Sequence, residues 1–466
     1  MLVSPYFAQA AEVAMAMVTR SLSGTVLSTQ SHPKPASPST WATSSIPPAA
    51  STKREGASST TPATPTSATK GQKGAAVQSS TGATTATTPP ESPRSSSEAA
   101  FRRVRALEEQ VKTDGACTLP GVSIAYELFM PIMMRAVARG YVRQEHADFV
   151  ANGLRFGFDL GVDVSKLRGR RLFRNYPTAL EARAAVTKAT RARVEQGKSL
   201  QLFPFRAEDR TMLDRWPSWR IFPMGAVPKP MEPGEMRPFS DHSKTGMKDA
   251  TDLELFRHTL TALKDIARFL KHMFYMRVSD VDAAFPLLPI APRLWRFMLF
   301  IWFDVQPGDE ASRLTWLYMH VCGDFGSAGL PGTWKIFFTD VVMGMARSEM
   351  VLTLEAPIYV DDISLIGELQ RMVDSEGAAL TAFLRELGIY IKEIKDRAAA
   401  QVQLALGFWW DSVNRTRTLS ERKQQEYVAM LREFETRRTL TLRERQQVAG
   451  RMQRAVMTMP PGAACF

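Results

Sequence analysis

Apolar positions fall into three textures along this chain. From about residue 21 to 98 they are sparse, and the stretch is largely Ser, Thr, Pro and Ala, as in SSTTPATPTSATKGQKGAAVQSS. Such a segment cannot bury enough apolar surface to offset its ordering entropy, so residues 1–98 are expected to form a disordered tail. From Phe101 onward helical spacing sets in. SIAYELFMPIMMRAVARGYV and ALEARAAVTKATRARVEQG predict a mostly helical segment over 99–205. Past residue 215 the pattern becomes short apolar runs cut by Pro and Gly and alternating with helices, which is the texture of an α+β domain.

Within that last region single elements can be placed. IFPMGAVPKPMEPGEMRPFSDHSKTG predicts two strands joined by a Pro and Gly turn, with Lys229 and Arg237 near its two arms. Leu260, Leu263, Ile266, Ala267 and Leu270 then recur at helical spacing. FYMRVSDVDAAFPLLPI predicts a strand running into Asp280, a carboxylate held rigidly at a strand end. In APIYVDDISLIG an otherwise apolar run carries Asp361 and Asp362 side by side. Asp breaks a strand and tolerates turn geometry, so a hairpin whose tight turn carries both carboxylates is expected. Taken alone, the pair reads more readily as a solvated turn. Near the end, Tyr427, Met430, Leu431 and Phe434 form one apolar helix face, and TLRE, Thr441 to Glu444, predicts a capping box opening a second helix.

The 466 residues are enough for two or three modules with a large core. A formal net charge of +12 favours a polyanionic partner such as nucleic acid. Cys117, Cys322 and Cys465 are at unrelated spacings, so neither a disulfide framework nor a zinc site is expected, and a reducing compartment is the default. No apolar run is long enough for a membrane span, and no membrane partner is expected. The N-terminal MLVSPYFAQAAEVAMAMVTRSLSG makes a poor secretory signal. An intracellular site, cytoplasm or nucleus, is favoured, with an organellar transit peptide left open.

Asp280, then FGSAGLPGTW, then YVDD follow the motif order of a polymerase palm, and the set resembles a reverse transcriptase. The resemblance implies a polymerase right-hand fold, with fingers and palm over 206–415 and a partial thumb over 416–466. It implies Mg²⁺, with Mn²⁺ as substitute, held by Asp280 and Asp361 as shared ligands with Asp362 in support, because phosphoryl transfer uses carboxylates from separate rigid strands. Phe285, five positions after Asp280, would exclude a ribose 2′ hydroxyl. Phe325, Gly326 and Pro331 fit the segment that lies against template and nucleotide. Lys229 and Arg237 match the fingers residues that hold the triphosphate. Lys395, in ELGIYIKEIKD, falls in the fourth palm motif, and Leu406, Gly407 and Phe408 look like the primer grip. The implied partners are an RNA template, a DNA primer or RNA–DNA duplex, and deoxynucleoside triphosphates.

NGLRFGFDLG, RNYPTA, RVEQGKSLQLFPF and GAVPKP…MRPFSDHSK look like DIRS-like retrotransposons over roughly residues 145–466. Three positions depart from that pattern. Ala283 stands where Asp or Ser is frequent, Leu330 where a small residue is usual, and Trp334 where Phe is usual; the last two are expected to crowd the nucleotide pocket. No ribonuclease H carboxylate set follows the thumb region, which suggests a fragment or truncated copy. The alternative function is a degenerate or domesticated element that only binds nucleic acid. A viral RNA-dependent RNA polymerase is disfavoured by YVDD and Phe285.

Overall fold

The computed structural model describes residues 93–229, 234–256, 262–305, 314–435, 439 and 441–458. The expected tail, apart from its last residues, lies outside the described residues, as do Leu260 and Cys465. The described part is α+β. Its first helix, Pro93–Thr113, begins inside the stretch assigned to the tail. Ser97, Ala100, Phe101 and Val104 are buried along one face of it, so four apolar or small positions at helical spacing draw the Ser-rich end into order. No helix among the described residues is long and apolar enough to cross a membrane.

Four sheets are present among the described residues. The largest has the order β1-β3-β7-β8-β2, from Arg170–Leu172, Trp219–Ile221, Leu299–Phe303, Thr315–His320 and Ser199–Pro204. Here β1, β3 and β7 pair in parallel, while β7, β8 and β2 are antiparallel. Beside it stands a two-stranded ribbon of β4 (Met224–Pro228) and β5 (Met236–Ser240), the expected hairpin. The third sheet, entirely antiparallel, has the order β11-β6-β10-β9, from Arg397–Ala400, Tyr275–Asp280, Asp362–Gly367 and Ile358–Tyr359. A final meander joins β12 (Val402–Ala405), β13 (Phe408–Asp411) and β14 (Thr416–Leu419).

The helix Gln370–Glu386 covers the face of β6 and β10, burying Val373, Leu380, Phe383 and Leu384. Each such side chain contributes about 1.5–3 kcal/mol by leaving water. On the other side of the core, the helix Leu330–Trp334 runs directly into a π-helical stretch, Lys335–Val342, and then into the helix Met343–Ser348. Trp334, Phe337 and Phe338 from this segment are fully buried. Toward the end of the chain, the helices Glu421–Glu435 and Leu442–Val456 pack Met430, Leu431, Phe434 and Val448 together. The second opens with the expected capping box of Thr441 and Glu444.

Candidate functional site: a carboxylate triad at a strand end

Two strands bring the acidic residues together. β6 ends at Asp280 and β10 begins at Asp362, and the antiparallel register places these two residues directly opposite each other. Directly opposed residues project to the same face of a sheet, so the pairing alone brings two carboxylates side by side. Asp362 also pairs back to Tyr359, which leaves Val360 and Asp361 as the two-residue turn. The expectation that the turn carries both aspartates is therefore corrected: Asp361 sits in it, whereas Asp362 opens the strand because its backbone is used in the ladder. Carboxylate oxygens of Asp280, Asp361 and Asp362 lie within 4.8 Å of one another.

The backbone around the triad is tied down. The Val281 N–H donates to the Asp361 carbonyl at 2.9 Å, and the Lys392 N–H to the Asp280 carbonyl at 2.9 Å. Lys395 Nζ lies 2.5 Å from Asp280 Oδ2. The next residue, Asp396, accepts from Arg277 Nη2 at 2.6 Å and from Ser279 Oγ at 2.7 Å, both on β6, and Arg277 also reaches Asp374 at 3.1 Å. This network fixes the loop that delivers Lys395.

Like charges in a partly buried place shift the titration of the triad. Burial, then the Asp361 and Asp280 carboxylates, push Asp362 up to about 7. Burial and then Asp280 also raise Asp361. Such a cluster calls for a cation, and its three carboxylates form an all-oxygen donor set that suits a hard divalent ion.

The other expected residues fall in three groups. Phe285 opens a short 3₁₀ turn after Asp280, and its ring lies 5.1 Å, centroid to centroid, from that of Phe325, which is 44% exposed. Gly326 follows with φ 111°, and a Cβ there would stand 2.1 Å from the Ser240 carbonyl oxygen, so the site requires glycine on both counts. Since Ser240 ends β5, this contact roots the β4–β5 ribbon beside the Phe285–Phe325 pair. Lys229 and Arg237 lie farther out on the ribbon. Lys229 Nζ is 3.8 Å from Glu235, and Arg237 is exposed opposite Val227.

Pro331 lies in the first turn of Leu330–Trp334. Leu330 and Trp334, expected to crowd the nucleotide pocket, are fully buried. The Trp334 indole N–H donates to the Val360 carbonyl at 2.7 Å. Leu406 and Gly407, with φ 52° and 79°, make the two-residue turn between β12 and β13. Phe408 is buried at the start of β13, and Arg454 of the last helix donates to the Leu406 carbonyl.

A second charged cluster was not visible in the sequence. Beneath the Phe325–Gly326 loop, Asp324 lies 3.4 Å from His320 Nε2, 3.6 Å from His242 Nε2 and 3.6 Å from Arg193 Nη1. His320 Nδ1 is 2.7 Å from Ser199 Oγ, and Phe222 and Phe300 pack on the imidazoles. Burial pushes the Asp324 carboxyl up, but His320, His242 and Arg193 outweigh it and hold it well below the usual range. Burial, then Arg193, lower His320 to about 4. The four residues come from three strand ends or loops and one helix, with no local pattern linking them.

No family model matches this chain, and no curated protein matches it. Among solved structures it is similar to a foamy viral protease-reverse transcriptase, designated dRH, in complex with double-stranded DNA, at 16% identity and a TM-score of 0.44, over 62% of this chain and 42% of that one. A foamy viral protease-reverse transcriptase with double-stranded DNA matches at 16% and 0.44, over 70% of this chain and 62% of that one. The same viral protein with an RNA/DNA hybrid matches at 15% and 0.43, over 69% and 39% respectively. The chain thus spans less than two thirds of the length of each of these proteins.

Proposed function

We propose that this chain is an RNA-directed DNA polymerase of a DIRS-like retrotransposon, extending a primer from deoxynucleoside triphosphates. The observation that carries the reading is the register of β6 and β10, which sets Asp280 opposite Asp362 with Asp361 beside them in the turn. Asp280 and Asp361 would hold the divalent ions, Mg²⁺ or Mn²⁺, with Asp362 in support. When bound, the ions would activate the primer 3′ hydroxyl and neutralise charge on the departing pyrophosphate. Lys395, already on Asp280, limits the repulsion in the cluster until a cation arrives. Phe285, backed by Phe325, would stand where a ribose 2′ hydroxyl needs room. Lys229 and Arg237 on the ribbon would meet the triphosphate, and the turn at Leu406, Gly407 and Phe408 would hold the primer strand.

A reading as a binder without synthesis is favoured by one contact, the Lys395–Asp280 ion pair, which occupies an oxygen that a metal needs. Primer extension decides between them. The full chain, given an RNA template, a DNA primer, deoxynucleotides and Mg²⁺, should lengthen the primer. Asp361→Asn should slow extension roughly a thousandfold, equivalent to about 4 kcal/mol of transition-state stabilisation, with duplex affinity nearly unchanged. Tight binding with no extension in Mg²⁺ or Mn²⁺ would establish the binder instead.

A further inference from the structure

Val360 adopts φ 57°, a left-handed conformation that a β-branched residue rarely enters. It does so in the turn that aims Asp361 at Asp280. A turn of this kind relaxes unless the surrounding structure holds it. Two hydrogen bonds do so. One side is fixed by the Val281 N–H on the Asp361 carbonyl at 2.9 Å. The other is fixed by the Trp334 indole N–H on the carbonyl of Val360 itself, at 2.7 Å.

Trp334 is suited to this task because its own position is over-determined. It is fully buried, stacks on Phe338 at 5.0 Å with a 10° interplanar angle, and lies 5.6 Å from the Phe337 ring. It is also the residue at which the α-helical hydrogen-bonding pattern gives way to the π-helical stretch Lys335–Val342. Wider π-type turns recur at functional sites, where they re-aim side chains. Here the residue at the switch carries the one side-chain donor, among the described residues, that meets the Val360 carbonyl.

We propose that Trp334 is a positioning residue: its indole N–H holds the Val360 turn in the left-handed conformation and thereby sets the spacing of Asp361 from Asp280 needed to bind a divalent cation. The proposal rests on the reading of the triad as a cation site, and its test does not require primer extension.

The probe is Mn²⁺ added to the full chain, with free ion followed by electron paramagnetic resonance. Trp334→Phe keeps an aromatic ring beside Phe338 and removes the donor, at the cost of part of the buried indole volume. It should weaken Mn²⁺ binding about tenfold while the variant stays folded by circular dichroism. Val360→Gly provides the second arm, since glycine enters positive φ without steric cost and needs no restraint. In that background Trp334→Phe should change Mn²⁺ affinity less than about twofold. If extension is measurable, Trp334→Phe should lower kcat more than it raises KM for the nucleotide.

An unchanged Mn²⁺ affinity in folded Trp334→Phe overturns the proposal. So does an equal loss in both backgrounds, which would make Trp334 a packing residue, and so does an absence of Mn²⁺ binding by the wild type. Mn²⁺ binding that depends on Trp334 in a protein that never extends a primer would leave this inference standing and remove the polymerase reading.

Discussion

Two clusters of charge, linked by the short path from Asp280 through Phe285 and Phe325 to Asp324, solve opposite problems. At Asp280, Asp361 and Asp362, three like charges crowd within 4.8 Å and Lys395 offsets only part of the charge. At Asp324, one carboxylate is surrounded by Arg193, His242 and His320, and the protein supplies its own neutralisation. Burial alone does not separate them, because both are partly or wholly withdrawn from water. The sign balance does. A cluster that the chain leaves unbalanced has a use for a cation from outside, whereas a balanced one holds structure together.

The contrast can be broken by removing one carboxylate from each. Asp324→Asn should lower stability by about 3 kcal/mol in urea unfolding, because the partly buried Arg193 guanidinium and the buried His242 and His320 lose the carboxylate they surround. A loss below about 1 kcal/mol would show that the cluster is not neutralised in the way described.

Acid should find the same cluster next. With His320 held near 4 against an ordinary value of about 6.5, the folded state binds fewer protons than the unfolded chain across that interval. Stability is therefore fully present above about pH 6.5 and falls as the pH drops towards 4. The groups facing His320 are Asp324, Arg193, His242 and Ser199. His320→Gln should flatten the melting-temperature profile between pH 7 and 4.5. An unaltered slope would assign the acid sensitivity elsewhere.

The smallest effect has the opposite sign. In metal-free protein near pH 8, Asp362→Asn should raise stability by about 1 kcal/mol, since it removes a carboxylate that its neighbours disfavour. Adding Mn²⁺ should stabilise the wild type more than this variant in thermal melts. Destabilisation by Asp362→Asn would mean that the triad is balanced after all.

The two clusters also differ in how far they could be read from sequence. Asp361 and Asp362 interrupt an apolar run, and Asp280 ends another. Strand breaking is a local signal that singles these residues out, but alone it reads as a solvated turn, and only the motif order resembling a polymerase palm grouped Asp280 with Asp361 and Asp362. The assignment of Asp362 to the turn failed because a ladder pairing with Asp280, far away in the chain, decides where the strand begins. Arg193, His242, His320 and Asp324 lie in segments that read as helix, turn and strand, and nothing in any one segment requires the others. Trp334 stood out in the sequence only as a departure expected to crowd the nucleotide pocket; its ring is fully buried, and the use of its N–H depends on a turn 26 residues away. The Ser-rich start of the helix Pro93–Thr113 went unread because composition outweighed the few apolar positions that dock it.

The sheet that carries the triad has one further consequence, for self-association. Exposed strand edges are templates for another chain. Here β9 is two residues long, and the pairing of β11 with β6 is interrupted by a register shift between Arg397 and Ala400. One edge is too short to recruit a foreign strand and the other is irregular. The sheet that carries the carboxylates thus offers little purchase for edge-to-edge aggregation.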